Sequence, residues 1–342
     1  MKKLFSLTVV LLLAMSILTV PSMAAGENDG GAYGYISYLS MTEADYVSRH
    51  EAERLAFDYL EEHGVLESVD RGSPRTKMIA YDSLDALFMA LQTGEINAVD
   101  VPSCTARYMC AVNDQVKQAV LYHPEKAQGF SQDLLDRLCS GYSFMMLEEN
   151  TELRDQFNEA ISAMKTDGAL DRLIKEQIDD VIAGKDSVPI EMPVFEGAKT
   201  VRIGVTGAIP PMDYMTPYGI PAGFNTAVLA EIGTRTGVNV ELVQVDSVSR
   251  ALALSQGYVD AVFWTRGSSE GMVRDGISSM SEEELKAYQQ KKAAEHTEEE
   301  NAIMSALRRS FPFEEYACRD MPEGAIVTVP YYTDLNVLVV RK

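Results

Sequence analysis

Residues able to do chemistry are sparse in this chain of 342, and their spacing excludes most reactions. The four histidines, His50, His63, His123 and His296, are scattered, and the four cysteines, Cys104, Cys110, Cys139 and Cys318, include no Cys-x-x-Cys. A closed metal site draws its ligands from short, regular spacings, so no metal site is readable and no cofactor is expected. Cys104 and Cys110 fall near opposite ends of one expected short helix. At ~1.5 Å rise per residue their Cα atoms are about 9 Å apart, beyond disulfide reach. The cysteines are read as small buried hydrophobes, with three pairings left open outside the cytoplasm. General acid–base work needs a histidine or paired carboxylates at a strand end. Only Asp213 qualifies as a carboxylate there, so no catalytic set is expected and the chain is read as a non-enzyme. Recognition chemistry remains. Trp264, the single tryptophan, is followed at once by Thr265 and Arg266. An indole at a strand end packs the core or stacks on a solute, and the guanidinium is either a surface charge or a carboxylate grip.

Charge and termini bound the compartment and the partners. Lys2 and Lys3 precede an apolar run from Leu4 to Val20, and Ser22 and Ala24 supply the small residues of a cleavage site. Residues 1–24 therefore read as a secretory signal peptide, and the processed chain as periplasmic or secreted. No other apolar run is long enough to span a bilayer, so no integral membrane protein is expected after processing. Lys and Arg number 30 against 51 Asp and Glu, a formal charge of −21. A surface this acidic repels phosphate backbones and anionic headgroups, which argues against nucleic acid. With 46% hydrophobic residues the length suits two domains, and a monomer is expected.

Strands and helices alternate twice along the chain, the pattern of parallel sheets covered by helices. In the first half, Tyr33–Tyr38, Met78–Ala80, Ile96–Val101 and Tyr142–Leu147 read as strands. Thr42 caps a helix ending near Gly64, and Ser83 caps another over Leu84–Leu91 that Gly94 stops. Two more helices, Glu152–Lys165 and Gly168–Ile182, break at Thr166-Asp167-Gly168. The stretch 184–198 reads as a linker. In the second half, Val201–Val205, Val238–Val243, Val259–Phe263 and Leu335–Val340 read as strands. Asn225 caps a helix to Thr236, and Ser247–Ser255 is helical. Ser281 to Arg309 is charged and helical with few apolar positions, a solvated face or lid-like insertion within about 267–322. The halves echo one another: helix, Gly94, one residue, Ile-Asn-Ala-Val, against helix, Gly257, one residue, Val-Asp-Ala-Val.

Several stretches together resemble family 3 extracellular solute-binding proteins, the amino-acid-type binding components of ABC importers. Val201-Arg-Ile-Gly-Val205, Pro210-Pro-Met-Asp-Tyr214 and Ala222-Gly-Phe-Asn225 resemble the start of that family, and Gln256 to Val262 its next block. Val329-Pro-Tyr-Tyr332 with Val337–Lys342 resembles the strand that leaves lobe 1. Tyr81-Asp-Ser-Leu84 with Gly94–Val99 is similar to the core of lobe 2, and Asn150–Phe157 with Asp167–Asp171 to the closing helices. The order is shifted, which implies a circularly permuted, two-lobed periplasmic-binding-protein type II-like α/β fold. Residues 25–140 then form a lobe 2-like domain and 141–342 a lobe 1-like domain. Joining surface termini that lie close together is tolerated.

The resemblance implies a small polar ligand, amino-acid-like or a small organic acid, held between lobes for uptake through an ABC permease. Open α/β sheets bind at strand C-terminal ends. That selects Met212, Asp213, Tyr214, Phe224, Asn225, Trp264, Thr265 and Arg266 from one lobe, and Ser40, Thr42, Pro102 and Ser103 from the other. Met212 and Tyr214 are equally suited to core packing, and Thr42 to helix capping. The chain departs from the family where amino acids are gripped: no Thr-x-x-Arg follows Val262, Pro102 stands at the ammonium-binding Asp, and Asn225 stands where Asp is usual. A buried ammonium without a carboxylate is costly, so an ordinary α-amino acid is disfavoured. Two other readings stay open: an extracytoplasmic sensor or adaptor with a degenerate pocket, and a dehydratase-like enzyme on the same fold.

Overall fold

The computed structural model describes residues 31–36, 54–69, 75–81, 83–127, 134–135, 138–186, 188, 190–246, 249–266, 280–310 and 322–342. Expectations for residues 1–24, the start of the helix after Thr42, and Cys318 lie outside them.

The first half of the chain builds three parallel strands. β1 (Gly31–Ile36) lies between β2's successor β3 (Arg75–Tyr81) and β4 (Ala98–Pro102), β2 being the short Leu66–Ser68. Helix α1 spans residues 54–62, and α2 (Leu84–Thr93) crosses from β3 to β4. The Ser83 hydroxyl accepts from Ala86 N at 3.2 Å, and Gly94 closes α2 at φ 81°, a left-handed turn that a side chain would strain. Leu84, Leu87 and Leu91 face Ile96, Val99 and Val101 in the core beneath. α3 (Ser103–Val112) follows β4 directly, then the short strands β5 (Val116–Gln118) and β6 (Val120–Tyr122), the latter paired with β2.

β7 (Cys139–Leu147) carries the chain into the second half. There α4 (Thr151–Thr166) buries Leu153, Phe157, Ala160, Ile161 and Met164, one stripe at helical spacing. Asp167 and Gly168 break it, and α5 (Ala169–Ile174) continues through a π-turn to Ile182. The stretch expected to be a linker is irregular and mostly exposed, anchored at a few points: Ile190 and Met192 pack against the core, and the Asn239 side chain bonds Phe195 N at 2.7 Å and Phe195 O at 3.0 Å.

The second parallel trio follows. β8 (Thr200–Val205) lies between β12 (Asn239–Gln244) and β13 (Ala261–Arg266), joined through α6 (Phe224–Thr236) and α7 (Arg250–Ser255). The short strands β9 (Ala208–Ile209), β10 (Asp213–Met215) and β11 (Pro221–Ala222) form a small separate sheet. Asn225 does not cap α6. Gly223 is the capping residue and Asn225 lies inside the first turn, buried. The charged segment is two helices, α8 (Glu282–Ala293) and α9 (Glu298–Ser310), and the chain returns through β14 (Ala325–Val327) and β15 (Tyr332–Arg341).

Strand order gives the architecture. One half-sheet reads β3-β1-β4-β15-β5 and the other β12-β8-β13-β7-β14. Each is second-first-third, then a strand running antiparallel that comes from the other half, then a short fifth strand. β7 and β15 are thus exchanged. They also pair with each other over Cys139–Tyr142 and Tyr332–Leu335, fusing the halves into one sheet. The first half-sheet consequently takes its fourth strand, Asn336–Val340, from the end of the chain. Among the described residues no helix is long and apolar enough to cross a membrane.

Phe144, at the middle of β7, is fully buried; its ring is edge-on to Phe157 at 5.4 Å and stacked on Tyr331 at 5.1 Å. Phe144→Ala should cost about 3–5 kcal/mol in urea unfolding, the range for emptying an aromatic core site. A loss under 1 kcal/mol, on the order of a surface change, would show that β7 is not a core strand.

Candidate functional site

Strand direction fixes where a groove must lie. Arg266, the last residue of β13, pairs with Gly141, and Gly141 pairs with Thr333. Pro102, the last residue of β4, pairs with Asn336. Only Asp334 and Leu335 separate Thr333 from Asn336, so the C-terminal ends of both parallel trios converge on the β7–β15 crossing. Ligands of open α/β sheets bind outside such ends.

On the second-half side, Asp213 organises the turn after β8. Its Oδ2 accepts from Thr206 N at 2.9 Å, Thr206 Oγ1 at 3.0 Å and Gly207 N at 3.1 Å. Burial pushes its carboxyl above the usual range, while the Gly207 and Thr206 donors pull it back. Gly223, at φ 104°, lets the chain pass so close that a Cβ there would stand 2.6 Å from Met212 O. The first N–H groups of α6 are consumed at this turn: Phe224 donates to Pro211 O at 3.0 Å and Asn225 to Met212 O at 2.8 Å.

On the first-half side, α2 and α3 begin at the groove. Ile209 of β9 packs against the core of that half, an apolar contact across the divide. The Tyr108 phenol is pushed up by burial, then by the Tyr214 phenol of the other half and the Asp85 carboxylate. Arg107 of α3 reaches Asp179 at the end of the π-turn at 2.7 Å. Both partners are about half exposed, so screening leaves this pair little weight in stability.

Asp334 lies beneath, at the crossing. It is fully buried, with Oδ2 accepting from Cys104 N at 2.7 Å and Oδ1 from Leu335 N at 2.9 Å. α3 has no side-chain cap of its own, so Asp334 serves as its cap from 230 residues away. Burial raises its pKa to about 6 against these donors. Tyr332 on the same face is raised well above its ordinary value, by burial and then by Asp334.

The expected site residues divide accordingly. Phe224 and Met212 are core side chains: Phe224 is fully buried against Tyr331 and Tyr332, and Met212 is 2% exposed. Asn225 is also buried, its Oδ1 accepting from the Tyr331 hydroxyl at 2.8 Å. All three are packed behind the turn, with almost no surface exposed to solvent. Asp213 shapes that turn, and Tyr214 is partly exposed. Pro102 and Ser103 form the β4–α3 corner, with Ser103 buried. Trp264, Thr265 and Arg266 are the last residues of β13 and pair with Ser143, Tyr142 and Gly141, so their backbone runs to the groove. Ser40 and Thr42 lie outside the described residues. Sequence reasoning missed Tyr108, Ile209 and Asp334. An acid interrupting the approach to the apolar run 335–340 was the available signal for Asp334; Tyr108 and Ile209 are brought in by tertiary packing and carried none.

Among the described residues no cluster of His, Cys, Asp and Glu could hold a metal ion. A separate open groove lined by Gln244, Asp246, Ser249, Gln256 and Tyr258 belongs to the second half alone.

Residues 201–269, spanning β8 to the end of β13, match the family model of bacterial extracellular solute-binding proteins, family 3. The likeness is confined to this segment, about a fifth of the chain. Among curated proteins none matches in sequence. Solved structures give distant similarity. A ligand-binding component of an ABC-type import system from Staphylococcus aureus, with zinc bound, is 9% identical over 92% of this chain and 66% of its own, at TM-score 0.36. NikA from Staphylococcus aureus, in complex with Ni(L-His)2, is 12% identical over 80% of this chain and 59% of its own, also at 0.36. The P235GK mutant of ArgBP from T. maritima is 12% identical over 91% and 81%, at 0.29. The chain thus spans less than two thirds of the length of the first two.

Gly223→Ala would drive a Cβ into the Met212 carbonyl in a backbone region that side chains avoid. We expect a loss of about 1–3 kcal/mol in thermal unfolding, the cost of overpacking. A melting temperature equal to the unsubstituted protein's would contradict this account of the turn.

Proposed function

We propose that the chain is an exported solute-binding protein that captures a small polar solute between its two half-sheets and delivers it to an ABC permease. The carrying observation is the pair of like-ordered half-sheets joined by two exchanged strands, with their C-terminal strand ends brought together at the β7–β15 crossing. Closure about the crossing strands converts contacts from both sides into a change of shape, the means by which a binder reports its load. The family match of residues 201–269 supports the solute-binding reading and export, as do the expected signal peptide and processed chain. The strand order also supports a circular permutation: β7 leads into the helices that the resemblance assigns to the family's end, and β8 then opens what it assigns to the beginning.

The site's polar groups narrow the solute. The Asp213 carboxylate and the first N–H groups of α6 are used within the protein, and Asp334 holds Cys104 N–H. Recognition therefore rests on Tyr108 and Tyr214 across the groove and on the end of β13. Those phenols suit a small solute with a flat or apolar part and a polar edge.

The test is native mass spectrometry of protein purified without denaturant, followed by isothermal titration with whichever solute co-purifies. Tyr108→Ala and Tyr214→Ala should each weaken binding about tenfold, or roughly 1.4 kcal/mol. Equal affinity in both folded variants would move the site away from this groove. No bound solute, and no thermal shift with amino acids, peptides or small acids, would favour the sensor or adaptor reading instead.

A further inference from the structure

Asp334 joins two parts of the molecule that must move relative to each other if the groove opens. It belongs to the β15 segment paired with β7, opposite Ser140. Two residues on, Asn336 begins pairing with β4 of the first half-sheet. Its carboxylate crosses from that joint to Cys104 N, the second residue of α3. α3 in turn carries Ser103 at the β4–α3 corner, Tyr108, and Arg107, which pairs with Asp179 of the other half. A helix N-terminus concentrates partial positive charge and unsatisfied N–H groups, so an anion there is held by both.

We propose that Asp334 is a positioning residue that couples the β7–β15 joint to α3, so that bending at the crossing turns the α3 surface facing the groove. The inference rests on the two-half binding reading for its purpose, yet the coupling is a property of the protein without any solute.

The groups facing Asp334 are the Cys104 thiol and Arg107 from α3 and Tyr332 from β15, with Asp179 beyond Tyr332; Tyr122 of β6 feels its charge from the Cys139–Leu335 core on the other face. Arg107 is the one cation among them, and it is paired with Asp179. Burial therefore dominates, and the carboxyl titrates at about 6 rather than 3.8. Because the folded value is raised, this group adds stability that is complete below about pH 4 and lost as pH rises through about 6. The ionised latch grips α3 more strongly, since a charged acceptor makes the stronger hydrogen bond, while costing the fold stability. Lowering the pH should relax the grip.

The experiment is an amide NMR titration of the full-length, solute-free protein from pH 4 to 8, a window bracketing the value of about 6. Coupling requires that Cys104 N–H, Tyr108 N–H, and the Tyr142 and Tyr332 amides at the joint shift together with one midpoint near 6. In Asp334→Asn, which keeps an acceptor for Cys104, that shared titration should vanish from all four. A titration confined to Cys104 and Leu335 would reduce Asp334 to a local cap and overturn the proposal, as would a shared midpoint that survives in the variant. The wild-type profile decides between coupling and cap even where the variant folds poorly. No solute enters the measurement, so failure to find one leaves this outcome untouched.

Discussion

The antiparallel pairing of Cys139–Tyr142 with Tyr332–Leu335 is the constraint on which the molecule depends. Each half-sheet lacks its fourth strand until the other half supplies it. An unpaired β13 or β4 would expose a buried row of backbone donors and acceptors, so neither half is complete alone. Exchange also sets direction. A strand that enters antiparallel to the third strand of a trio must begin beside that strand's C-terminal end. Two such strands paired at their beginnings therefore bring both sets of C-terminal ends to one place.

Side-chain alternation then sorts the joint into an apolar and a polar face. Cys139 and Leu335 point into the core shared with Leu60 and Leu66 of the first half. Tyr142, Tyr332 and Asp334 point the other way, with Tyr142 and Tyr332 5.4 Å apart between ring centres. The polar face costs free energy, because a buried carboxylate keeps its charge only through the N–H groups it accepts. A well-packed apolar residue would be cheaper there. Asp334 replaces the missing cap of α3, and no apolar side chain could do that.

Much of the fold was legible because periodicity and punctuation coincide. Ser83 and Gly94 bracket α2 as a cap and a left-handed stop, and the Leu84–Leu91 stripe between them has one apolar side. The groove was less legible, for a physical reason. At Asn225, capping preference suggested a helix start, but Gly223 begins the helix because only a residue without a side chain passes the Met212 carbonyl. Met212 and Phe224 resemble lining residues in sequence and are core in space, since the turn folds back over them. Tyr108 and Ile209 reach the groove from an amphipathic helix and a two-residue strand. Neither offers a local pattern that distinguishes contact across a divide from ordinary packing.

The charged insertion shows the same limit from the other direction. Composition marks Ser281–Arg309 as charged and helical, a solvated face or lid-like insertion, and α8 fits a solvated face, with no buried residue and a capping box between Ser281 and Glu284. α9 does not fit. Ile303, Met304 and Leu307 are nearly fully buried against Ala56, Tyr59 and Leu134, although the insertion is flanked in sequence by β13 and β14 of the second half-sheet. A second capping box, Thr297 with Glu300, starts α9 where the Thr297 hydroxyl also meets the Tyr59 phenol. Ile303, Met304, Ala306 and Leu307 form a short apolar stripe at helical spacing inside a run of charge, and it covers α1. A segment that is highly charged by composition is, by burial, part of the first half's core, so the second half lends the first a helix as well as a strand.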